Sequence, residues 1–125
     1  MEDGNLKLYV LKIILKKTIF DRVRKIVSDS FFSNGGRDIY KAISKIYEDN
    51  PGIEEISISD LRISYFETYF ANQSFQSEKN IKELISRIER IQDMNESVVE
   101  NAIKSMYKSA KADEMSRLCI SIGNN

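Results

Sequence analysis

Apolar residues recur along most of the chain at the three- and four-residue spacing of α-helices, and this pattern predicts an all-helical fold. The first segment, Leu6 to Lys17, is apolar on almost every side of a helical wheel, which is typical of a helix buried within its domain. A second, short helix is predicted over Ile19 to Val27, with Thr18 as its cap. A third is predicted over Arg37 to Asn50, where Pro51 ends it.

Two segments between the predicted helices lack helical spacing and are expected to be connectors. Residues 29–36 are rich in turn formers and contain the aromatic pair Phe31–Phe32, which we expect to plug the core. Ile53–Ile58 alternates apolar and polar residues as a strand would, but no second strand is available to pair with it, so we predict an extended connector. It leads to Ser59 as the cap of a helix that begins at Asp60. The apolar stripe of that helix is aromatic and is expected to be core: Leu61, Tyr65, Phe66, Tyr69 and Phe70.

The carboxyl-terminal segment has the most regular pattern and predicts an antiparallel hairpin of two helices. Ser77 can cap the first helix and Asn95 the second, with residues 92–95 as the connector. The apolar stripe of the second helix runs to Ala110 and resumes at Ala112. A step of two residues rotates the stripe by about 200° around the helix. The last turns, with Met115, Cys119 and Ile122, must therefore pack on a different neighbour. The seam between the two helices is predicted to consist of Ile81, Leu84, Ile88, Ile91, Val99, Ile103 and Met106.

These elements predict a single domain in two parts. Residues 1–76 form a globular head of short helices, and residues 77–125 form a projecting hairpin arm whose last turns pack back on the head. A hairpin of two helices cannot bury all of its own apolar surface, so we expect it to pair with the hairpin of a second copy. Alternatively, the apolar flanks fold back on the head. The residues expected to make contacts between chains are Ile85, Val98, Ala102 and Tyr107.

Composition and charge narrow the possible functions. The chain has 125 residues, of which 42% are apolar and 30% charged, as in an ordinary folded domain. Nineteen basic residues balance nineteen acidic ones, which predicts weak or absent direct DNA binding, because phosphate neutralisation supplies most non-specific affinity. The acidic start and the single cysteine favour a reducing, cytoplasmic compartment. The apolar run Leu8–Leu15 is interrupted by Lys12 and is too short to span a membrane.

No catalytic, cofactor-binding or metal-binding residues are predicted. The sequence contains no histidine, which removes the usual triads, the commonest general base and most zinc sites. Gly35–Gly36 is not followed by the Lys-Ser or Lys-Thr of a phosphate-binding loop. Cys119 lies on an apolar stripe without an obvious base, which favours an inert buried thiol over a nucleophile. The chain is therefore expected not to be an enzyme and to act through protein contacts.

The order of these elements resembles the amino-terminal domain of DnaB-type replicative DNA helicases, particularly the divergent versions in tailed phages. The resemblance spans nearly the whole chain. It rests on the apolar opening helix, the acidic-aromatic element Asp29–Phe32, the helix Arg37–Tyr47, the capped start Ile56–Leu61 and the two-helix arm. The resemblance lies in the spacing of these elements along the chain. Gly36–Arg37 stands where the family often has a His-Arg pair, and the motor domain with its nucleotide-binding motifs is missing.

The resemblance implies a non-catalytic collar domain of a helicase involved in DNA replication. In this family the domain forms hairpin-to-hairpin dimers that build a collar on a hexameric ring, and it docks primase or the helicase loader. It implies the cytoplasm of a bacterium or of a phage-infected cell. The chain stops at Gly123–Asn125, just past a predicted helix end, where the linker to a motor is expected. The alternative is a stand-alone helical nucleic-acid-binding or adaptor module, with the third or fourth helix in a groove.

Overall fold

The computed structural model describes residues 3–32, 34–69, 75–92 and 94–107, and over these residues the prediction of an all-α fold is confirmed. A 3₁₀ turn, Asp29–Phe31, precedes the third helix, and a π-helical segment, Ser64–Tyr69, continues the fourth. No helix in the described ranges is long and apolar enough to cross a membrane. The helices are α1 (Asp3–Ile13), α2 (Lys17–Val23), α3 (Asn34–Asp49), α4 (Ile58–Ile63), α5 (Phe75–Glu89) and α6 (residues 96–107).

One apolar core collects side chains from every helix and from the connectors between them. Helix α1 is buried on most of its sides, as its apolar wheel predicted, with Val10 and Leu11 inside the core. Phe32 is buried too, and the partly buried ring of Phe31 packs edge-on against it at a centroid distance of 5.0 Å. Each fully buried large apolar side chain contributes roughly 1.5–3 kcal/mol, so this core is the main source of stability.

The first two helices begin and end differently from the sequence prediction. Helix α1 ends at Ile13, four residues before the predicted Lys17, and the chain then turns into α2. Helix α2 starts at Lys17 and no side chain caps it, so the prediction that Thr18 is its cap is wrong. Thr18 lies inside the first turn of α2, where its side chain cannot occupy the capping position.

Helix α3 starts at Asn34, three residues before the predicted Arg37, and the two glycines lie in its first turn. Asn34 has a φ of 47°, a left-handed conformation that asparagine tolerates better than most residues. A Cβ atom on Gly35 would lie 2.7 Å from Leu84 Cδ1, so the glycine allows α3 and α5 to approach closely. The sequence therefore marked the glycines as a turn, whereas the structure uses Gly35 for helix packing.

The cap of α4 is Ser57, and the prediction of Ser59 is wrong. Ser57 Oγ accepts a hydrogen bond from the backbone N–H of Asp60 at 3.0 Å. In return, Asp60 Oδ2 accepts one from the backbone N–H of Ser57 at 3.3 Å. This reciprocal capping box needs an acidic or amide side chain three residues after the cap, and Ser57 has one in Asp60.

The connector before α4 has a pairing partner that the sequence prediction missed. Lys16 and Glu55 form an isolated antiparallel bridge. The backbone N–H of Lys17 donates to the carbonyl of Glu54 at 2.8 Å, and the N–H of Ile56 donates to the carbonyl of Leu15 at 2.7 Å. The partner is the turn between α1 and α2, which is not a strand, so residues 53–57 form an extended connector, as predicted, and a single bridge holds it.

The hydroxyl of Tyr47 binds the backbone just after the carboxyl end of α1. Its hydrogen bond is shared between two backbone carbonyls, that of Ile14 at 2.9 Å and that of Leu15 at 2.7 Å. Burial raises the pKa of the Tyr47 hydroxyl above its ordinary value of 10.0, so the hydroxyl stays protonated, and remains a donor, further into the alkaline range. Helix ends leave carbonyls that need such partners.

We expect Tyr47→Phe to lower the free energy of unfolding by about 1–2 kcal/mol, because a buried carbonyl loses its donor. Urea denaturation followed by circular dichroism measures this change. Tyr40→Phe is the matched control, since the Tyr40 hydroxyl is buried but reaches the carbonyl of Val27 only at 3.5 Å. Equal losses in the two variants would contradict a special role for the Tyr47 hydrogen bonds.

Helix α5 packs against α1, α3 and α4. The structure therefore places the first helix of the expected arm on the head. Its start, Phe75, precedes the expected cap Ser77 by two residues. The predicted change of stripe after Ala110, and Cys119 with it, lie outside the described residues.

Candidate interaction surface on helix α6

Helix α6 begins at the residue that the sequence indicated. Asn95 Oδ1 accepts hydrogen bonds from the backbone N–H groups of Ser97, at 2.9 Å, and Val98, at 3.4 Å. Asn95 is therefore the cap of α6, as predicted, and its side chain satisfies two of the N–H groups that a helix start leaves without partners.

One side of α6 is polar and is joined to α2. Arg22 holds Glu100 with two hydrogen bonds, Nε to Oε2 at 2.8 Å and Nη2 to Oε1 at 3.0 Å. Lys104 Nζ lies 3.6 Å from the same carboxylate, and Lys16 Nζ pairs with Glu96 Oε1 at 2.6 Å. Residues 96, 100 and 104 are spaced by four, so they share one side of the helix.

Glu100 is the one buried charged side chain among the described residues. The hydrogen bonds from Arg22 lower the pKa of the Glu100 carboxyl below its ordinary value, against the opposing effect of burial. In the sequence, Glu96 and Glu100 are acidic residues near a helix start, where they suit the helix dipole. Their partners, Arg22 on α2 and Lys16 just before it, lie 78 and 80 residues away in the chain, where no local pattern could reveal them.

The apolar seam of α6 is covered at its start and uncovered further along. Val99 and Ile103 are buried in the core. Met106 and Tyr107 follow at helical spacing but are 45% and 46% exposed. The remaining residues of the predicted seam lie on α5 and just after it. Ile81 and Ile88 on α5 are buried, whereas Leu84 on α5 and Ile91 beyond its end are partly buried. Ile81 and Leu84 both approach Gly35 of α3, so this half of the seam contacts the head.

The four residues predicted for contacts between chains do not share one surface. Ile85 is 0% exposed, and the expectation that it lies on an open flank is wrong. The reason is that α5 packs against three other helices and buries a wider stripe than a two-helix seam would. Val98 is 64% exposed and Tyr107 is also open, while Ala102 is partly buried against the core. Whether the last three contact another chain stays a prediction.

What we call the α6 face is the line of apolar side chains Val98, Ala102 and Met106, of which Val98 and Met106 are open and Ala102 is partly buried. These three are spaced by four residues and follow one side of the helix, whereas Tyr107, nine residues after Val98, lies about half a turn around the helix from it. Four large apolar side chains are exposed in the described part of the chain, three on α6 and the fourth, Ile63, on α4 at 59%. The α6 face adjoins a groove of about 330 Å³ that is lined mainly by Ile26, Val27, Phe31, Ile103, Met106 and Tyr107.

In the described ranges, no three His, Cys, Asp or Glu side chains cluster closely enough to hold a metal ion. No protein-family model, curated protein or solved structure matches this chain.

Proposed function

We propose that this chain is a non-catalytic collar domain of a replicative DNA helicase, and that it assembles with further copies through the α6 face. The loss of burial along α6 is the observation that supports self-association most strongly. Val99 and Ile103 are covered by the chain itself, whereas Met106 and Tyr107, one turn later, are about half exposed. An apolar seam that runs beyond its cover typically marks a contact with another protein. The order of helices and connectors, which resembles that of the amino-terminal domain of DnaB-type helicases, supports the part of the proposal that names a helicase collar.

A second copy is the occupant that the α6 face fits best. The acidic side chains of α6 form ion pairs with Arg22 and Lys16 of the same chain, whereas the apolar side of the helix stays open. Two such helices related by a twofold axis present the same apolar residues to each other, which is the commonest way in which identical chains pair. The small Ala102 in the middle of the stripe permits a close approach of the helices. The net charge of zero adds no repulsion between copies.

In this role the domain builds dimers, and the full-length protein builds a hexameric ring from them. The surfaces outside the α6 face are then available for primase or a helicase loader. The domain works in the cytoplasm of a bacterium or phage-infected cell and contributes little direct DNA binding.

Sedimentation equilibrium of the purified chain over a wide concentration range tests the self-association. We expect a reversible rise from the 14.5 kDa of one chain to the mass of a dimer or beyond. Val98→Asp and Met106→Asp are expected to weaken the association roughly tenfold or more, because each places a charge in an apolar contact. Both variants should remain folded, since these side chains are largely open and an acid near a helix start suits the helix dipole at Val98.

Ile63→Asp is the matched control, because Ile63 is as exposed as the tested residues but lies on α4. It should associate as the unchanged chain does. A chain that stays monomeric at the highest concentration, or an Ile63 variant that dissociates as far as the α6 variants, would contradict the proposal. The first result would favour an adaptor that acts as a monomer.

A further inference from the structure

A second groove lies between α1 and α5, and none of its residues belongs to α6. Its cavity volume is about 340 Å³. We call it the α1–α5 groove. Its apolar lining is only partly buried, and the two arginines at its edge are exposed. The residues that line it are Leu8, Tyr9, Arg87, Arg90 and Ile91.

The two arginines of the groove have no acidic partner among the described residues. Arg90 Nε donates only to the backbone carbonyl of Ser86, at 3.3 Å, and Arg87 forms no ion pair with any described carboxylate. Glu89, the acid next to Arg90, instead pairs with Arg62 at 3.1 Å. The groove is therefore positively charged, although the whole chain has a net charge of zero.

Elsewhere in the described ranges, about half of the basic side chains pair with a carboxylate. Lys82 pairs with Glu78 at 3.2 Å on the same helix α5, and Lys45 pairs with Asp49 on α3 at 3.4 Å. Glu83 precedes Arg87 by four residues, the spacing of a helical ion pair, yet the two do not pair. Two guanidinium groups without an ion-pair partner, beside an apolar lining, are complementary to a ligand that supplies both carboxylates and an apolar group.

We propose that the α1–α5 groove binds a short acidic peptide segment of a partner protein, anchored by one apolar side chain. The carboxylates of the peptide meet Arg87 and Arg90, whose planar guanidinium groups can each bind a carboxylate with two hydrogen bonds. An aliphatic or aromatic side chain between them covers Leu8, Tyr9 and Ile91. A cavity of this size holds one or two side chains, so specificity lies in the pairing of acid with a neighbouring apolar residue.

A peptide fits this groove better than a nucleic acid does. Single-stranded nucleic acid uses aromatic platforms for its bases and a track of cations for its backbone. Here the lining contains two aliphatic residues and one aromatic, Tyr9, with two cations rather than a track. The identity of the partner as a replication protein rests on the proposed function, whereas the binding of an acidic peptide does not.

Selection of a phage-displayed random peptide library on the purified 125-residue chain tests the proposal. We expect the enriched peptides to share at least two acidic residues next to a leucine, isoleucine, methionine or phenylalanine. A fluorescently labelled synthetic form of the most enriched peptide is then titrated with the chain, and its dissociation constant is measured by fluorescence anisotropy. The dissociation constant should rise roughly tenfold or more in the double variant Arg87→Ala/Arg90→Ala. Added salt should weaken the binding of the peptide to the unchanged chain.

Lys79→Ala is the matched control, because Lys79 is exposed on α5 but does not line the groove. It should leave the dissociation constant unchanged. Val98→Asp should also retain peptide binding, which separates a failure of self-association from a failure of this site. The proposal is overturned by enriched peptides without the acidic-apolar pattern, or by equal affinity of the double variant. It is also overturned if labelled twelve-residue oligothymidine binds in the groove and is lost in the double variant.

Discussion

Replacing Ile85 with alanine is expected to lower the free energy of unfolding by about 3 kcal/mol. The side chain is fully buried where α5 packs on the head, so the substitution removes apolar contacts and leaves a cavity that neighbouring helices cannot fully close. The change is measured by urea denaturation, followed by circular dichroism at a protein concentration below that at which the chain associates.

Val98→Ala is the control for this prediction, because Val98 is open to solvent and its truncation should change the free energy of unfolding by less than about 0.5 kcal/mol. The pair of variants also separates Ile85 from Val98, to which the sequence analysis had assigned the same role in contacts between chains. A small loss of stability in Ile85→Ala, together with weaker association, would contradict the buried position of Ile85.

Replacing Glu100 with alanine is expected to lower the free energy of unfolding by about 2 kcal/mol, since a buried carboxylate with charge-assisted hydrogen bonds is lost. The two bonds from Arg22 join α6 to α2, so the loss should also loosen α6. Hydrogen exchange of the α6 amides measures that loosening, and urea denaturation measures the overall change.

Glu96→Ala is the matched control on the same side of the same helix. Its ion pair with Lys16 is short, at 2.6 Å, but both side chains are well exposed, so water and salt screen the pair. We expect this variant to unfold almost as the unchanged chain does. If Glu96→Ala and Glu100→Ala lost the same stability, distance rather than burial would determine the strength of these pairs.

The Glu100 contribution also has a defined pH dependence. Hydrogen bonds from Arg22 lower the pKa of Glu100 from its ordinary value of 4.5, so the folded protein binds the proton less readily than the unfolded chain does. The stability that this shift supplies is therefore complete above the ordinary pKa and is lost as the pH falls through the lowered value. The stability difference between the unchanged chain and Glu100→Gln, measured by urea denaturation, should shrink over that range. A difference that grows on acidification would contradict the lowered pKa.

Structural features that depend only on neighbouring residues could be predicted from the sequence. The spacing of apolar residues indicated the helical segments, and Asn95 was identified as a cap because capping depends on the residues that immediately follow it. The cap of α4 could also have been found, since Ser57 and Asp60 have the spacing of a capping box. Choosing Ser59 overlooked that local signal.

Features that depend on distant neighbours could not be predicted in the same way. Ile81, Leu84, Ile85 and Ile88 all lie on one broad stripe of α5, and the three-four spacing singled out three of them as a narrow seam. Such spacing indicates which side of a helix is apolar, but a seam against one helix buries less of that side than packing against several helices does. Only the contacts of α5 with α1, α3 and α4 show that Ile85 is inside.

The order of residues alone specifies the all-helical class, the approximate positions of the helices and the apolar character of the α6 face, because these depend on interactions within a few residues. The tertiary structure decided which apolar residues are covered, that Arg22 holds Glu100 across 78 positions, and that Arg87 and Arg90 share a groove with Tyr9 of α1. These features depend on which helices come together, and that choice follows from the burial of the whole core at once.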